Sequence, residues 1–265
     1  METKKVQLSK RLQMLADMVT PGTVVADVGC DHGFLSIYLV QQGICPKVIA
    51  SDVRRGPLDA ACEHIRMYGL EDYIETRLSD GLMAYWPGEA QTLVCAGMGG
   101  RLMQQILMQS EPVTREFEEL ILQPQSEIRQ FRVFLREQQY RIVKEDIVCE
   151  DDKYYFAFRV VHADGEEADR TMPRRGSFDG RFDGREQTDE QLRRLYDKFG
   201  EQLLRERNPV LRAYLEKGLA AARQVQEQML AHRGDALSSR LEEGLAEQEN
   251  QAADLEAALA LYTKE

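Results

Sequence analysis

The chain has 265 residues, 43% hydrophobic and 30% charged, with a formal net charge of −11, which fits one large domain or a domain with an appendage and excludes wholesale disorder. No apolar run approaches the ~18 residues of a transmembrane helix, and METKKVQLSK has no apolar core after its charges, so neither a membrane partner nor a secretory signal is expected and the location is expected to be cytoplasmic. The acidic balance does not itself advertise nucleic-acid binding, although a local basic face on an acidic protein is enough for it.

Leu8, Leu12, Leu15 and Val19 share one face of a helix predicted over 7–19, which Pro21-Gly22 stops. The period then changes. TVVADVG is a short β-branched run ending in glycine, and HGFLSIYLVQQG reads as a helix closed by Gly43. KVIASDV is a second strand, and Gly56-Pro57 opens the helix PLDAACEHIRMYG, proline suiting a first turn. YIETRLSDG and TLVCAGMGG are a third and a fourth strand, the latter followed by the helix RLMQQILMQS. LILQPQ is a fifth strand, followed by SEIRQFRVFLREQQ with Ser126 as its expected N-cap. Strands alternating with helices mean βαβ units and a parallel sheet. YRIVKEDIVCE and KYYFAFRVV, linked only by Asp151-Asp152, must instead form an antiparallel hairpin, because so short a link cannot make a parallel crossover. The expected fold is therefore α/β, a Rossmann-like methyltransferase sheet with a terminal antiparallel hairpin, over residues 1–161.

Residues 162–187 break the composition. They are rich in Gly, Asp and Arg, repeat FDGR at 178–181 and 182–185, and read as a solvated linker, with an RNA-contacting loop as the alternative. Residues 188–265 are expected to form an all-α, coiled-coil-like region. Pro209 breaks it, and two long helices over 210–231 and 236–262 are joined at Gly234-Asp235, with Asp235 as N-cap. Leu237, Leu241, Leu245, Leu255 and Leu259 form one stripe, and Val210, Tyr214, Val225 and Met229 form the stripe facing it. A monomer is expected, and these helices also offer a route to a dimer. Five cysteines, none in a CxxC pair, imply reduced thiols and no metal site.

The segment most informative about chemistry is Ala26-Asp27-Val28-Gly29-Cys30-Asp31-His32-Gly33, at a strand-to-helix turn where backbone amides face the ligand crevice. A dinucleotide loop reads G-x-G-x-x-G, and here Asp31 takes the second glycine position. A carboxylate there repels a pyrophosphate but suits a phosphate-free cofactor with a cationic amino-acid end, such as S-adenosylmethionine. A tight turn with a capping aspartate is the alternative. Asp52 ends the second strand 52 − 29 = 23 residues after Gly29, near the ~20-residue offset of a ribose-binding acid, or caps the next helix. Asp80-Gly81, after the third strand, can read an adenine edge or simply turn the chain. Cys30, Val53 and Ala96 complete the expected cofactor-binding set with Asp27, Gly29, Asp31 and His32. Gly97-Met98-Gly99-Gly100 ends the fourth strand, where a flat acceptor could approach closely and lie against Met98. Gln123-Pro124-Gln125 ends the fifth strand, where the side-chain amides could orient an acceptor or Gln123 could only satisfy backbone. Lys10 and Arg11 lie on the first helix, with Arg11 a phosphate-binding candidate. His32 is favoured as a structural group and Cys95 as strand core.

LSKRL, ADVGCDHG, ASDV, Gly56-Pro57, SDGL, AGMGG, LILQP and the YY strand, in this order, resemble the bacterial tRNA (adenine-22-N1)-methyltransferase family over about residues 6–160 and, more loosely, the helical remainder. The resemblance implies a Rossmann-like domain with a C-terminal coiled coil, S-adenosylmethionine as donor and adenosine 22 of tRNA as acceptor. It places Asp27, Gly29, Asp31 and His32 in the first cofactor motif, Asp52 at the ribose and Asp80-Gly81 at the adenine. Gly97 to Gly100 fall where adenine amino-methyltransferases carry an N-P-P-Y-type motif. Cys30 and Gln125 depart from the family pattern, which commonly has a small hydroxyl residue and Asn there. A methyltransferase acting on another RNA or a small molecule, or a non-catalytic cofactor-binding module, are the other functions this sequence allows.

Overall fold

The computed structural model describes residues 5–163, 181–182, 185–186, 189–231 and 239–262. The chain divides into two compact units, Met1–Met172 and Pro173–Glu265.

In the first unit β1 (Val25–Val28), β2 (Val48–Asp52) and β5 (Glu119–Pro124) are buried along their whole length, the pattern of parallel strands covered on both faces. With β3 (Ile74–Leu78), β4 (Thr92–Met98), β6 (Tyr140–Glu150) and β7 (Lys153–His162) they form one sheet in the order β3-β2-β1-β4-β5-β7-β6. The first five strands pair in parallel, and β7 pairs antiparallel with β5 and with β6. The β6–β7 turn is Asp151-Asp152, at φ 49° and 60°. Two successive positive φ angles define a type I′ turn, whose twist matches that of the strands it joins.

The covering helices are α1 (Lys10–Ala16), α2 (Phe34–Gln41), α3 (Arg55–Met67), α4 (Gly100–Gln109), the single turn α5 (Glu111–Thr114) and α6 (Ile128–Glu137). Ser9 caps α1 through a bond from the Leu12 N–H to its Oγ. Leu15, Met18, Ile37 and Leu39 on one face of the sheet, and Met103, Leu107, Phe131 and Phe158 elsewhere in the unit, are almost completely enclosed. The residue preceding α6 is Glu127 at φ 58°, with no side-chain cap. The expected Ser126 cap is therefore corrected. Its Oγ accepts instead from the Gly100 N–H at 3.3 Å, and Glu127 Oε2 accepts from the Arg101 N–H at 3.2 Å. Both side chains serve the free amides of α4, brought close because β4 and β5 are neighbours.

The second unit contains α7 (Asp189–Phe199), α8 (Glu201–Arg205), α9 (Pro209–Ala231), α10 (Ser239–Leu259) and a 3₁₀ turn, Ala260–Tyr262. Asn208 Oδ1 accepts from the Val210 and Leu211 N–H groups, so Pro209 occupies a first turn. A Cβ at Gly218 would lie 3.3 Å from Leu255, and one at Gly244 would lie 3.4 Å from Met229; α9 and α10 therefore run antiparallel. The most buried residues of α9 are Leu211, Leu215 and Ala222; of the expected stripe, Val210, Tyr214 and Met229 are half-buried, with Met229 meeting α10 at Gly244, while Val225 is exposed. The small side chains at 218 and 222 let α10 approach closely. Leu255 is buried and Leu241, Leu245 and Leu259 are half-buried, while Leu237 and the Gly234-Asp235 turn lie outside the described residues. Asp254 is buried and takes ion pairs from Arg194 and Lys198. Within the segment read as a linker, Arg181–Phe182 (β8) pairs antiparallel with Arg185–Glu186 (β9); most of that segment lies outside the described residues.

Candidate active site

The strand order reverses direction between β1 and β4. β1 leads outward to β2 and β3, and β4 leads the other way to β5. Such a switch point opens a crevice at the strand carboxyl ends, and a cavity of about 500 Å3 lies there. One wall is acidic. Asp27 is buried, and Ser36 Oγ donates to its Oδ2 at 2.6 Å. Burial pushes its carboxyl up to about 6, against the Ser36 bond and with a smaller contribution from Asp52. Asp52 accepts from the Arg54 N–H through Oδ1 at 2.8 Å, while Oδ2 has no hydrogen-bond partner among the described residues. The turn-capping and ligand-binding readings of Asp52 therefore use different oxygens. Asp31 is exposed at φ 51° with His32 Nε2 3.7 Å away, and Asp80 is exposed at the mouth. Ser79 Oγ donates to the Gly81 carbonyl and accepts from the Ala84 N–H, which orders that loop. Val53, 59% exposed, leaves an apolar patch at the rim.

The opposite wall is formed by Ala96, Gly97, Met98, Gln125 and Arg11. Met98 reaches across to the first wall: a Cβ on Gly29 would sit 3.0 Å from Met98 Cε, and Gly29 is at φ 80°. Only glycine meets both conditions without displacement. Arg11 Nη1 donates to Gln123 Oε1 at 3.1 Å, and its guanidinium lies over the Tyr155 ring at 5.6 Å. A Cβ on Gly97, which is at φ 79°, would be 3.4 Å from Arg11 Nη1.

Thirteen of the residues singled out from the sequence line this cavity: Arg11, Asp27, Gly29, Cys30, Asp31, His32, Asp52, Val53, Asp80, Gly81, Ala96, Gly97 and Met98. Five do not. Lys10 points to solvent, and Gln123 and Pro124 are buried beneath the wall as the last residues of β5. Gly99 and Gly100 face the β5–α6 loop. A Cβ on Gly100 would fall 2.6 Å from the Ser126 carbonyl oxygen, whereas Gly99 is extended at φ −64°. Those two glycines serve the approach of α4 to the neighbouring loop. Gln125, read from the sequence as a side-chain amide that could orient an acceptor and as a departure from the family pattern, lines the cavity, as do Phe34, Leu102 and Ile106, which were not singled out. For Gln125 the signal was its place two residues beyond Gln123, just where the chain leaves the strand; its N–H donates to the Met98 carbonyl at 2.9 Å. Cys95 is fully enclosed and its thiol is pushed up to about 12 by burial, which removes it as a thiolate nucleophile. His32 is exposed, and its carbonyl oxygen lies 3.0 Å from His64 Nδ1. Among the described residues no three His, Cys, Asp or Glu side chains converge as metal ligands, and no helix is long and apolar enough to cross a membrane.

Four carboxylates on one wall, Asp27, Asp31, Asp52 and Asp80, disfavour a pyrophosphate. They fit a cationic, hydroxyl-bearing ligand without phosphates. The chain belongs to the methyltransferase domain family, whose model matches residues 8–158. More particularly, it is 36% identical over 151 residues to the tRNA (adenine(22)-N(1))-methyltransferase of Bacillus subtilis, an alignment spanning 57% of this chain and 63%, less than two thirds, of that protein. The crystal structure of the B. subtilis m1A22 tRNA methyltransferase TrmK matches with a TM-score of 0.77 at 27% identity, covering 96% of this chain and 100% of that one. A Streptococcus pneumoniae protein, Sp1610, solved in complex with S-adenosyl-L-methionine, matches with a TM-score of 0.74 at 25% identity, covering 96% and 100%.

Proposed function

We propose that this protein transfers the methyl group of S-adenosylmethionine to N1 of adenosine 22 in tRNA, in the cytoplasm where tRNA is used. The observation that carries the reading is the cavity at the β1/β4 switch point, acidic on one wall and with Gly97, Met98 and Arg11 on the other; the named relatives supply the nucleotide position. Asp27 and Asp31 would face the amino-acid end of the cofactor, Asp52 Oδ2 its ribose hydroxyls, and Val53 with Asp80-Gly81 its adenine. When bound, the cofactor supplies an electrophilic methyl group on a sulfonium.

Adenine N1 carries its own lone pair, so no residue has to remove a proton before attack. The N1–C bond forms as the S–C bond breaks, and the positive charge passes from sulfur to the methylated base. The work left to the chain is alignment and exclusion of water. Gly97 lets a flat base approach the backbone, Met98 offers a polarizable surface, and the neighbouring carboxylates favour a base that becomes cationic. Because N1 lies on the pairing edge, the nucleotide must be turned out of its tRNA contacts to enter. The test is methyl transfer from radiolabelled S-adenosylmethionine to tRNA lacking the modification, followed by nucleoside analysis. Label in 1-methyladenosine is expected; a folded protein that labels no tRNA contradicts the proposal.

A further inference from the structure

Arg11 is an unusual group to find on the acceptor wall. Its guanidinium is held by two uncharged partners, Gln123 Oε1 at 3.1 Å and the face of Tyr155 at 5.6 Å. Gln123 is itself fully enclosed, so it is a rigid anchor rather than a mobile surface group. The backbone is pinned as well: the Lys10 and Arg11 N–H groups donate to the two carboxylate oxygens of Glu150 at 3.1 and 3.4 Å. Only one of the five guanidinium N–H donors makes a described hydrogen bond, and the guanidinium forms no ion pair among the described residues. Gly97 lacks the Cβ that would stand in contact with Nη1 at 3.4 Å, so no side chain there covers the guanidinium.

A fixed cation on this wall opposes the chemistry proposed above. The reacting pair already carries a positive charge, which ends on the base, and two like charges in a partly dry cavity repel. The conflict disappears if the substrate brings its own anion to the guanidinium. A nucleotide within a polynucleotide does so, through the phosphates on either side of its sugar, and a planar fork of unengaged N–H groups is the geometry that grips a phosphate. We infer that Arg11, positioned by Gln123 and Tyr155, clamps a phosphate flanking the target adenosine and so makes the site select a nucleotide in a chain over a free nucleoside or another small molecule. This inference rests on the proposed function and adds the contact that distinguishes RNA from small-molecule acceptors.

The experiment compares wild type with Arg11→Gln and Arg11→Lys on two synthetic tRNAs, one unmodified and one with uncharged methylphosphonate linkages on both sides of the target adenosine. Loss of a charge-assisted contact should lower kcat/KM for the unmodified tRNA about 10- to 100-fold in Arg11→Gln. Arg11→Lys should recover part of that loss, keeping the charge without the fork. The methylphosphonates should cost wild type a similar factor but cost Arg11→Gln less than about threefold, because the contact is already gone. S-adenosylmethionine affinity, read by calorimetry, should be unchanged. Losses that multiply in the variant, or a parallel fall in cofactor affinity, overturn the clamp. Full activity of Arg11→Gln overturns the clamp but leaves the proposed function standing, whereas a wild type that labels neither tRNA overturns both. The methylphosphonate series on wild type needs no variant to fold.

Discussion

Asp52 and Asp27 are both carboxylates at strand ends within one cavity, but their surroundings set them different tasks. The Arg54 N–H engages only Oδ1 of Asp52, which leaves Oδ2 for the ribose hydroxyls of the proposed cofactor. Asp52→Ala should therefore weaken S-adenosylmethionine binding by about 1.5–3 kcal/mol, the value of hydrogen bonds to a charged group. Calorimetry on the folded variant checks this, and unchanged affinity removes Asp52 from the site. Asp27 is enclosed, with its carboxyl raised from 3.8 to about 6. Between those values the native protein keeps a proton that the unfolded chain has released. Stability of the ligand-free protein should then fall as pH rises from about 4 to about 6, by at most ~3 kcal/mol. Asp27→Asn should lack that component of the pH dependence, which melting curves at pH 4.5 and 7 would reveal. A cationic ligand favours the carboxylate, so the wild type's affinity for S-adenosylmethionine should decline as pH drops through about 6 and that of Asp27→Asn should not.

Among the elements, the β6–β7 hairpin carries the clearest stability prediction. Asp151 and Asp152 both sit at positive φ, at 49° and 60°, where Asn-Gly is preferred. The double change Asp151→Asn, Asp152→Gly should stabilise the protein by about 0.5–1 kcal/mol, read as a higher denaturation midpoint with an unchanged slope. A lower midpoint would mean that the aspartates make contacts worth more than the backbone strain. The hairpin was legible because two residues cannot carry a parallel crossover, and the five parallel strands because short apolar runs alternated with helices. What escaped the sequence were contacts between elements distant along the chain. Ser126 had the right residue type and place to cap α6, yet the adjacency of β4 and β5 gives its hydroxyl to α4. In α9 the facing stripe was legible in part: Met229 meets α10 at Gly244, whereas Val225 is exposed and the close approach of α10 falls at Gly218. The acidic wall was legible from turn motifs within single segments. The Arg11–Gln123–Tyr155 cluster joins α1, β5 and β7, and no local pattern records that meeting.

At the scale of the whole molecule, the sheet supplies a rigid frame whose switch point creates the cavity. The acidic wall suits the phosphate-free cationic cofactor, and the wall of Gly97 and Arg11 suits the proposed nucleotide acceptor. With a net charge of −11, the chain would have to meet the proposed tRNA substrate through local contacts rather than through its overall field. The central claim is that the methyl group goes to N1 of one adenosine. A methyl group there blocks the pairing edge and halts a copying polymerase. The most direct measurement is primer extension across an unmodified tRNA transcript after incubation with the protein and S-adenosylmethionine, beside a transcript carrying guanosine at position 22. An arrest immediately before nucleotide 22 is expected in the first transcript and none in the second. Arrest elsewhere, arrest in both transcripts, or methyl incorporation with no arrest at all would contradict it.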